Sequence, residues 1–429
     1  MDKVAQATER PERDPCPVRC VAPVAPGSGR FVRAVGRARP RLAFVVSHPI
    51  QYFAPLYQSL ARREDVAIKV FFTWHAGTVP VQDRGFGIPV AWDIPLTEGY
   101  EYEAVPNSAA DPGTHHFRGL QNPSLVRRVM EWRPDIVHVT GWAWQSHLFA
   151  LRAFSKRGLP TLFRGDSHLL DDNRLGPRWR AKRVILRRVF SWPAGFLVVG
   201  AANRAYYEAF GVAADRLFQC PHSIDVARFA TPAVLLEQQA AAWRRKLGIS
   251  LDKTVLLYAG KFERKKRPVE LVKAVLAAHD PTLVLILVGD GELREEVDKI
   301  AALEPQQFRV LPFQNQSRMP VVYRLGDLFV LPSAYGETWG LAVNEAMACG
   351  RPVLVSDRVG CARDMVDATC GRVFSWDDVL SLSVTLNNLI GDRHALPAMG
   401  RAAGERAWLF DVTRTEAALM EAVQRVCGQ

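Results

Sequence analysis

Short apolar runs of four to six residues recur along this chain, each separated from the next by a helical pattern, and the series begins twice. The first series opens at Arg41-Leu42-Ala43-Phe44-Val45-Val46 and continues at 66–72, 135–139, 160–163, 195–199 and 217–220. The second opens at 254–258 and continues at 283–288, 308–311, 327–331 and 352–355. Runs that are apolar at every position suit strands covered on both faces, the arrangement of parallel sheets with crossover helices. Two such series predict two doubly wound α/β domains, in which ligands bind beyond the carboxyl ends of the strands. The loops after strands are therefore where chemistry is expected.

The length of 429 residues accommodates two domains with their own cores. The predicted divisions are a disordered basic leader over 1–40, a first domain over 41–225, a second over 226–400, and a closing helix over 401–429. Residues 226–251 read as a polar, helix-prone linker, and 75–123 as a long polar, Gly/Pro-rich excursion. No run approaches the roughly 18 apolar residues of a membrane-spanning helix, and the first forty residues lack a signal-type apolar core. A cytoplasmic protein is expected. Seven cysteines, at 16, 20, 220, 349, 361, 370 and 427, follow neither disulfide nor zinc spacing, so buried reduced thiols are expected.

The net charge is +11, and it is localised. Residues 152–188 carry eleven Lys or Arg against three Asp or Glu, and residues 1–41 carry nine against four. The segment 177–190 reads as a basic helix with Trp179, Leu186 and Phe190 along one side, suited either to cover the first domain or to meet an anionic membrane surface. No base-reading module is recognisable, so nucleic acid is not an expected partner.

Three loops of the second half stand out. Gly260-Lys261-Phe262-Glu263-Arg264-Lys265-Lys266-Arg267 places five cations in seven residues at a strand end, which suits an anion such as phosphate. In Leu331-Pro332-Ser333-Ala334-Tyr335-Gly336-Glu337-Thr338-Trp339-Gly340-Leu341, a strand runs through a glycine loop into a helix that carries Glu345 among apolar residues. A carboxylate in such surroundings is costly unless something bonds to it. The segment Pro352–Gly360 flanks the same crevice.

The block ETWGLAVNEAMACGRPVLVSD, with seven residues between Glu337 and Glu345, resembles the acidic motif of retaining glycosyltransferases of family 4 (glycosyl transferases group 1). GKFERKK, PHSID, VGDGEL and FVLPS resemble further blocks of that family in the expected order, and the likeness covers about 41–410. It implies the GT-B architecture: two Rossmann-like domains facing a cleft, with the last helix crossing back onto the first. It further implies an acceptor-binding first domain and a second domain that holds a nucleotide-diphosphate sugar as co-substrate. Lys261 and Lys266 would cradle the diphosphate and Glu337 would lie against the donor sugar, these three being the catalytic candidates. Gly260, Thr338, Trp339, Gly340 and Leu341 would approach sugar and phosphate, and Glu345 the ribose hydroxyls.

The first half departs from the family. Ser47-His48-Pro49-Ile50-Gln51 stands where many members carry a glycine pair. Thr140 stands where many carry the second histidine of a DIVHxH block, so that role is not carried over. His48, Arg164, Asp166 and His168 are the acceptor-side candidates. No DxD motif appears, so protein cations are expected in place of a metal, and no cofactor is expected. The implied reaction is retaining sugar transfer in polysaccharide or glycolipid synthesis, with a sugar or lipid-linked acceptor at the inner face of the membrane. The competing readings are a nucleotide-sugar 2-epimerase of the same architecture and a non-enzymatic basic-patch binder of membrane or nucleic acid.

Overall fold

A computed structural model describes residues 39–74, 81–83, 85–171, 176–250, 252–378 and 380–428. Most of the expected leader lies outside the described residues. Within it, Arg39 and Pro40 are anchored: Arg39 Nε donates to the Val66 carbonyl at 2.8 Å, and Ala67 N–H to that of Pro40 at 2.9 Å.

The first domain carries β1 (Arg41–Val46), β2 (Ala67–Phe72), β3 (Val81–Asp83), β4 (Ile88–Val90), β5 (Tyr102–Ala104), β6 (Ile136–Thr140), β7 (Thr161–Arg164), β8 (Gly195–Val198) and β9 (Leu217–Gln219). Seven of these form one parallel sheet in the order β5-β2-β1-β6-β7-β8-β9, while β3 and β4 pair only with each other, as an antiparallel hairpin. The second domain carries β10 (Thr254–Ala259), β11 (Leu283–Val288), β12 (Phe308–Leu311), β13 (Leu328–Leu331), β14 (Val353–Ser356) and β15 (Gly371–Phe374), in the order β12-β11-β10-β13-β14-β15. Every residue of β10 and β11 is buried, as their unbroken apolar runs require. In each sheet the chain order reverses beside the opening strand. The loops after β10 and β13 thus flank one crevice.

The excursion over 75–123 contains strands. The β3–β4 hairpin and β5 are three residues each, and β5 joins the sheet edge with an exposed–half-buried–exposed pattern, too short to leave a hydrophobic signature. The stretch read as a linker folds as helices Val226–Ala230 and Ala233–Lys246, the second tied to its domain by Arg244 Nη2 and Asp327 Oδ1 at 2.7 Å.

The closing helix expected over 401–429 is two helices. Leu396–Ala407 packs on the second domain, and Val412–Cys427 crosses to the first, where Leu419, Met420, Val423 and Val426 join its core. The break is at Asp411, whose Oδ1 accepts from Thr413 N–H (2.9 Å) and Oδ2 from Val226 N–H (3.1 Å). One carboxylate thus caps the crossing helix and zips the two interdomain passages together.

The basic helix spans Pro177–Val189. The apolar side read from the sequence faces inward: Leu186, Val189 and Phe190 are buried, and Trp179 packs on Phe210. Val184 and Ile185 are the apolar groups that project outward. The described cysteines are all free thiols, with Cys220, Cys349, Cys361 and Cys370 buried. Among the described residues no helix is long and apolar enough to cross a membrane.

Candidate active site in the interdomain cleft

A cleft of about 400 Å³ opens between the two sheet edges, lined from the second domain by Gly260, Lys261, Lys266, Glu337, Thr338, Trp339, Gly340, Leu341 and Glu345. All nine second-domain candidates read from the sequence therefore share one cavity. Their loops are held by backbone geometry. A Cβ on Gly289 would lie 1.9 Å from the Gly260 carbonyl, so the end of β11 can approach that of β10 only with glycine at 289. Gly340 sits at φ +95° where the chain turns into helix Leu341–Ala348. No side chain caps that helix, which leaves its first N–H groups facing the cleft.

Glu345 is 2% exposed. The Tyr323 hydroxyl donates to its Oε2 at 2.6 Å, while Oε1 is buried with no hydrogen bond of good geometry, the Tyr52 and Gln316 side chains approaching the same carboxyl. Burial pushes its carboxyl above the ordinary value, and Tyr323, Arg228, Gln316 and Tyr52 oppose this only in part. Tyr52, from the first domain, shares the cavity with it, as does Gln316, whose side chain accepts from Arg228 Nη2 at 2.6 Å. An acid buried beside a cleft with one oxygen not fully hydrogen-bonded is equipped to accept from a ligand hydroxyl.

Both candidate lysines are paired. Lys266 Nζ contacts Glu337 Oε2, which also accepts from Ser333 Oγ at 3.0 Å. Lys261 Nζ meets Asp83 Oδ1, at the end of β3 in the first domain, at 2.7 Å. The neighbouring Lys265 instead pairs with Glu263 at 3.0 Å and does not line the cleft. The Trp339 side chain turns inward, donating from Nε1 to Asn344 Oδ1 at 2.9 Å, and the residue is 3% exposed.

From the first domain, Asp166 lines the cleft and Arg164 lies directly behind it. Arg164 Nη2 donates to His222 Nδ1 at 2.9 Å, and His222 Nε2 lies 3.1 Å from Asp166 Oδ1. Since a guanidinium only donates, Nδ1 must accept and the ring proton sits on Nε2, the nitrogen beside Asp166, though it is not aligned for a hydrogen bond to Oδ1. Burial would raise the Asp166 carboxyl, but His222 and Arg164 overcome this and hold it at about 2. It is a permanent carboxylate near neutral pH, fit to accept a hydroxyl and unfit to act as an acid.

Besides Arg164, two further acceptor-side candidates do not reach the cavity lining. His48 Nδ1 lies 3.0 Å from Ser47 Oγ, its ring packs on Trp74, and burial lowers it to about 4. His168 is buried beside Asp171, at 3.9 Å. Conversely, sequence reading passed over His222, Tyr52, Tyr323, Asp83 and Phe86. His222 had a usable signal, since it stands in PHSID just beyond the end of β9; the others are brought to the cleft by tertiary packing alone.

Comparison with known proteins bears on the family and the fold. The family described as "Glycosyl transferases group 1" matches residues 239–406, and "Glycosyl transferase 4-like domain" matches residues 95–221. A D-inositol 3-phosphate glycosyltransferase of Nocardia farcinica is 30% identical over 229 residues, 51% of this chain and 49% of that protein. Its counterpart in Pseudarthrobacter chlorophenolicus is 27% identical over 72% of this chain and 75% of its own. A phosphatidyl-myo-inositol mannosyltransferase of Mycolicibacterium smegmatis is 27% identical over 53% of this chain and 56% of its own. The chain spans about half the length of the first of these relatives. Two solved structures share the fold: the Anabaena protein Alr3699/HepE in complex with UDP and glucose (TM-score 0.65, 16% identity, 90% of this chain and 100% of that one) and sucrose-phosphate synthase from Thermosynechococcus elongatus (TM-score 0.69, 18% identity, 90% and 99%). With two parallel-sheet domains meeting at a cleft and the two family matches on either side of it, the chain belongs to the group 1, family 4-type glycosyltransferases of GT-B architecture.

Proposed function

We propose that this protein transfers a sugar, with retention of configuration, from a nucleotide-diphosphate sugar to an acceptor hydroxyl. The observation that carries this reading is Glu345, buried with Oε1 lacking a hydrogen bond of good geometry in the same cavity as Lys261, Lys266 and the uncapped helix at Leu341. Ribose hydroxyls would satisfy the acid, and a diphosphate would draw both cations. As the bond to the anomeric carbon breaks, charge grows on the leaving phosphate, and preorganised cations and N–H groups stabilise it. The departing phosphate takes the acceptor proton in this scheme. Glu337, occupied by Lys266 and Ser333, positions the cation and the donor sugar and is not a covalent nucleophile. Asp166, backed by His222 and Arg164, accepts a hydroxyl from the first-domain side. Protein cations stand in for a metal throughout, and no cofactor takes part.

The relatives named for inositol phosphate and phosphatidylinositol acceptors point to a polyol or glycolipid acceptor. The exposed face of Pro177–Val189, with Arg178, Arg180, Arg183, Arg187 and Arg188 around Val184 and Ile185, suits the surface of an anionic membrane that presents it. Incubation with a panel of nucleotide sugars and polyol or lipid acceptors tests the reading. The expected product is a glycoside with the donor's anomeric configuration, formed equally in EDTA. Free isomerised nucleotide sugar would instead make the chain an epimerase, and loss in EDTA restored by Mg²⁺ or Mn²⁺ would overturn the metal-free scheme.

A further inference from the structure

The β3–β4 hairpin belongs to neither large sheet, yet it is fastened to the second domain along its length. At one end Asp83 holds Lys261. In the middle, the Phe86 ring meets Phe313 edge-on, with centroids 4.7 Å apart, and lies 4.9 Å from Lys261 Nζ. Beyond β4, Asn315 Nδ2 donates to the Ala91 carbonyl at 2.6 Å, and Ser317 N–H to Asp93 Oδ1 at 2.9 Å. Trp92 completes the cluster at 6.4 Å from Phe313. Phe86, Trp92 and Phe313 are each half-buried and all line the cleft that holds Lys261 and Glu345. Three rings left partly uncovered beside a diphosphate cradle offer apolar, planar surface to one part of the ligand, its heterocyclic base.

We propose that this hairpin supplies the nucleobase wall of the donor site, with Phe86 and Trp92 from the first domain and Phe313 from the second, so that donor binding is shared between domains. The inference rests on the donor-site reading above. It adds that Asp83 is a competitor: its carboxylate occupies the cation that the diphosphate must engage, so the hairpin gains contact with the base while losing an ion pair.

Nucleoside diphosphates (UDP, GDP and ADP) and inorganic pyrophosphate, titrated into the full chain by calorimetry, test this. Phe86→Ala and Trp92→Ala should each weaken the preferred nucleoside diphosphate by about 5–100-fold, the range for loss of one base–aromatic contact. Pyrophosphate affinity should stay at the wild-type value, which also reports that the variants are folded. Asp83→Asn should tighten both ligands by roughly two- to fivefold, since the lost pair is partly exposed. Equal weakening of nucleoside diphosphate and pyrophosphate in Phe86→Ala would mean that the hairpin only props the cleft open, and would overturn the inference. So would wild-type affinity in both ring variants. If no nucleoside diphosphate binds the wild type, the donor-site reading itself falls, and this inference with it.

Discussion

Lys265 and Lys266 are adjacent in sequence and opposite in situation. Lys265 pairs with Glu263 outside the cleft, whereas Lys266 is less exposed and points into it against Glu337. An interaction that strengthens as charge develops on the leaving phosphate lowers the barrier more than it tightens the ground state. Lys266→Ala should therefore reduce kcat by about 10²–10³, with a smaller rise in donor KM, while Lys265→Ala changes neither much. Equal, small losses in single-turnover kinetics would reduce the loop to a basic turn. Asp166 has a different signature. Its native value of about 2 lies below the unperturbed 3.8, so its ionised form stabilises the fold above about pH 3.8, and that contribution disappears as pH falls through 2. Asp166→Asn should be less stable than the wild type near neutrality, with the gap closing between pH 4 and 2 in denaturant titrations. A gap independent of pH would mean that the carboxylate does not interact with His222 and Arg164 as placed. At this scale the second-domain site was legible because a carboxylate in an apolar helix and cations clustered at a strand end are anomalies visible in one dimension. The first-domain site was not, because His222, Tyr52 and Asp83 are ordinary residues until packing brings them to the cleft, and because isolated histidines such as His48 and His168 carry no positional information.

At the scale of elements, the junction between β13 and Leu341–Ala348 is the most constrained. Gly340 combines φ +95° with a position where a Cβ would lie 2.7 Å from Val359 Cγ1. Gly340→Ala should cost about 1–3 kcal/mol of stability and displace the N–H groups that face the cleft. Thermal denaturation and nucleotide titration should both register it. A variant with wild-type stability and affinity would mean that this backbone is free to adjust. The apolar runs identified the buried strands, since complete burial demands apolar side chains at every position. The edge strands β5 and β15 escaped because an edge relaxes that demand, with Val373 in β15, for instance, 42% exposed. The break at Asp411 escaped because both flanking segments are good helix formers. The bond that Val226 N–H donates to Asp411, between residues 185 positions apart, reveals why the chain turns there.

For the whole molecule, the charge asymmetry predicts where it works. The outward face of Pro177–Val189 presents arginines for which no acidic partner is found among the described residues at Arg178, Arg180, Arg183 or Arg188, with Val184 71% exposed between them. Flotation with vesicles containing anionic lipid should recover more protein than flotation with neutral vesicles, and an Arg183→Glu/Arg187→Glu double variant should lose the difference. Equal recovery from both vesicle types would restrict this helix to covering the first domain.

The kinetic and nucleotide-binding expectations depend on the cleft being a nucleotide-sugar site centred on Glu345. Calorimetric titration of nucleoside diphosphates into the wild type and Glu345→Ala tests that most directly. The account predicts that one nucleoside diphosphate binds the wild type, and that the variant loses a charge-assisted hydrogen bond worth about 1.5–3 kcal/mol, roughly ten- to 150-fold in Kd. Unchanged affinity in Glu345→Ala, or no nucleoside diphosphate binding to the wild type, would contradict it.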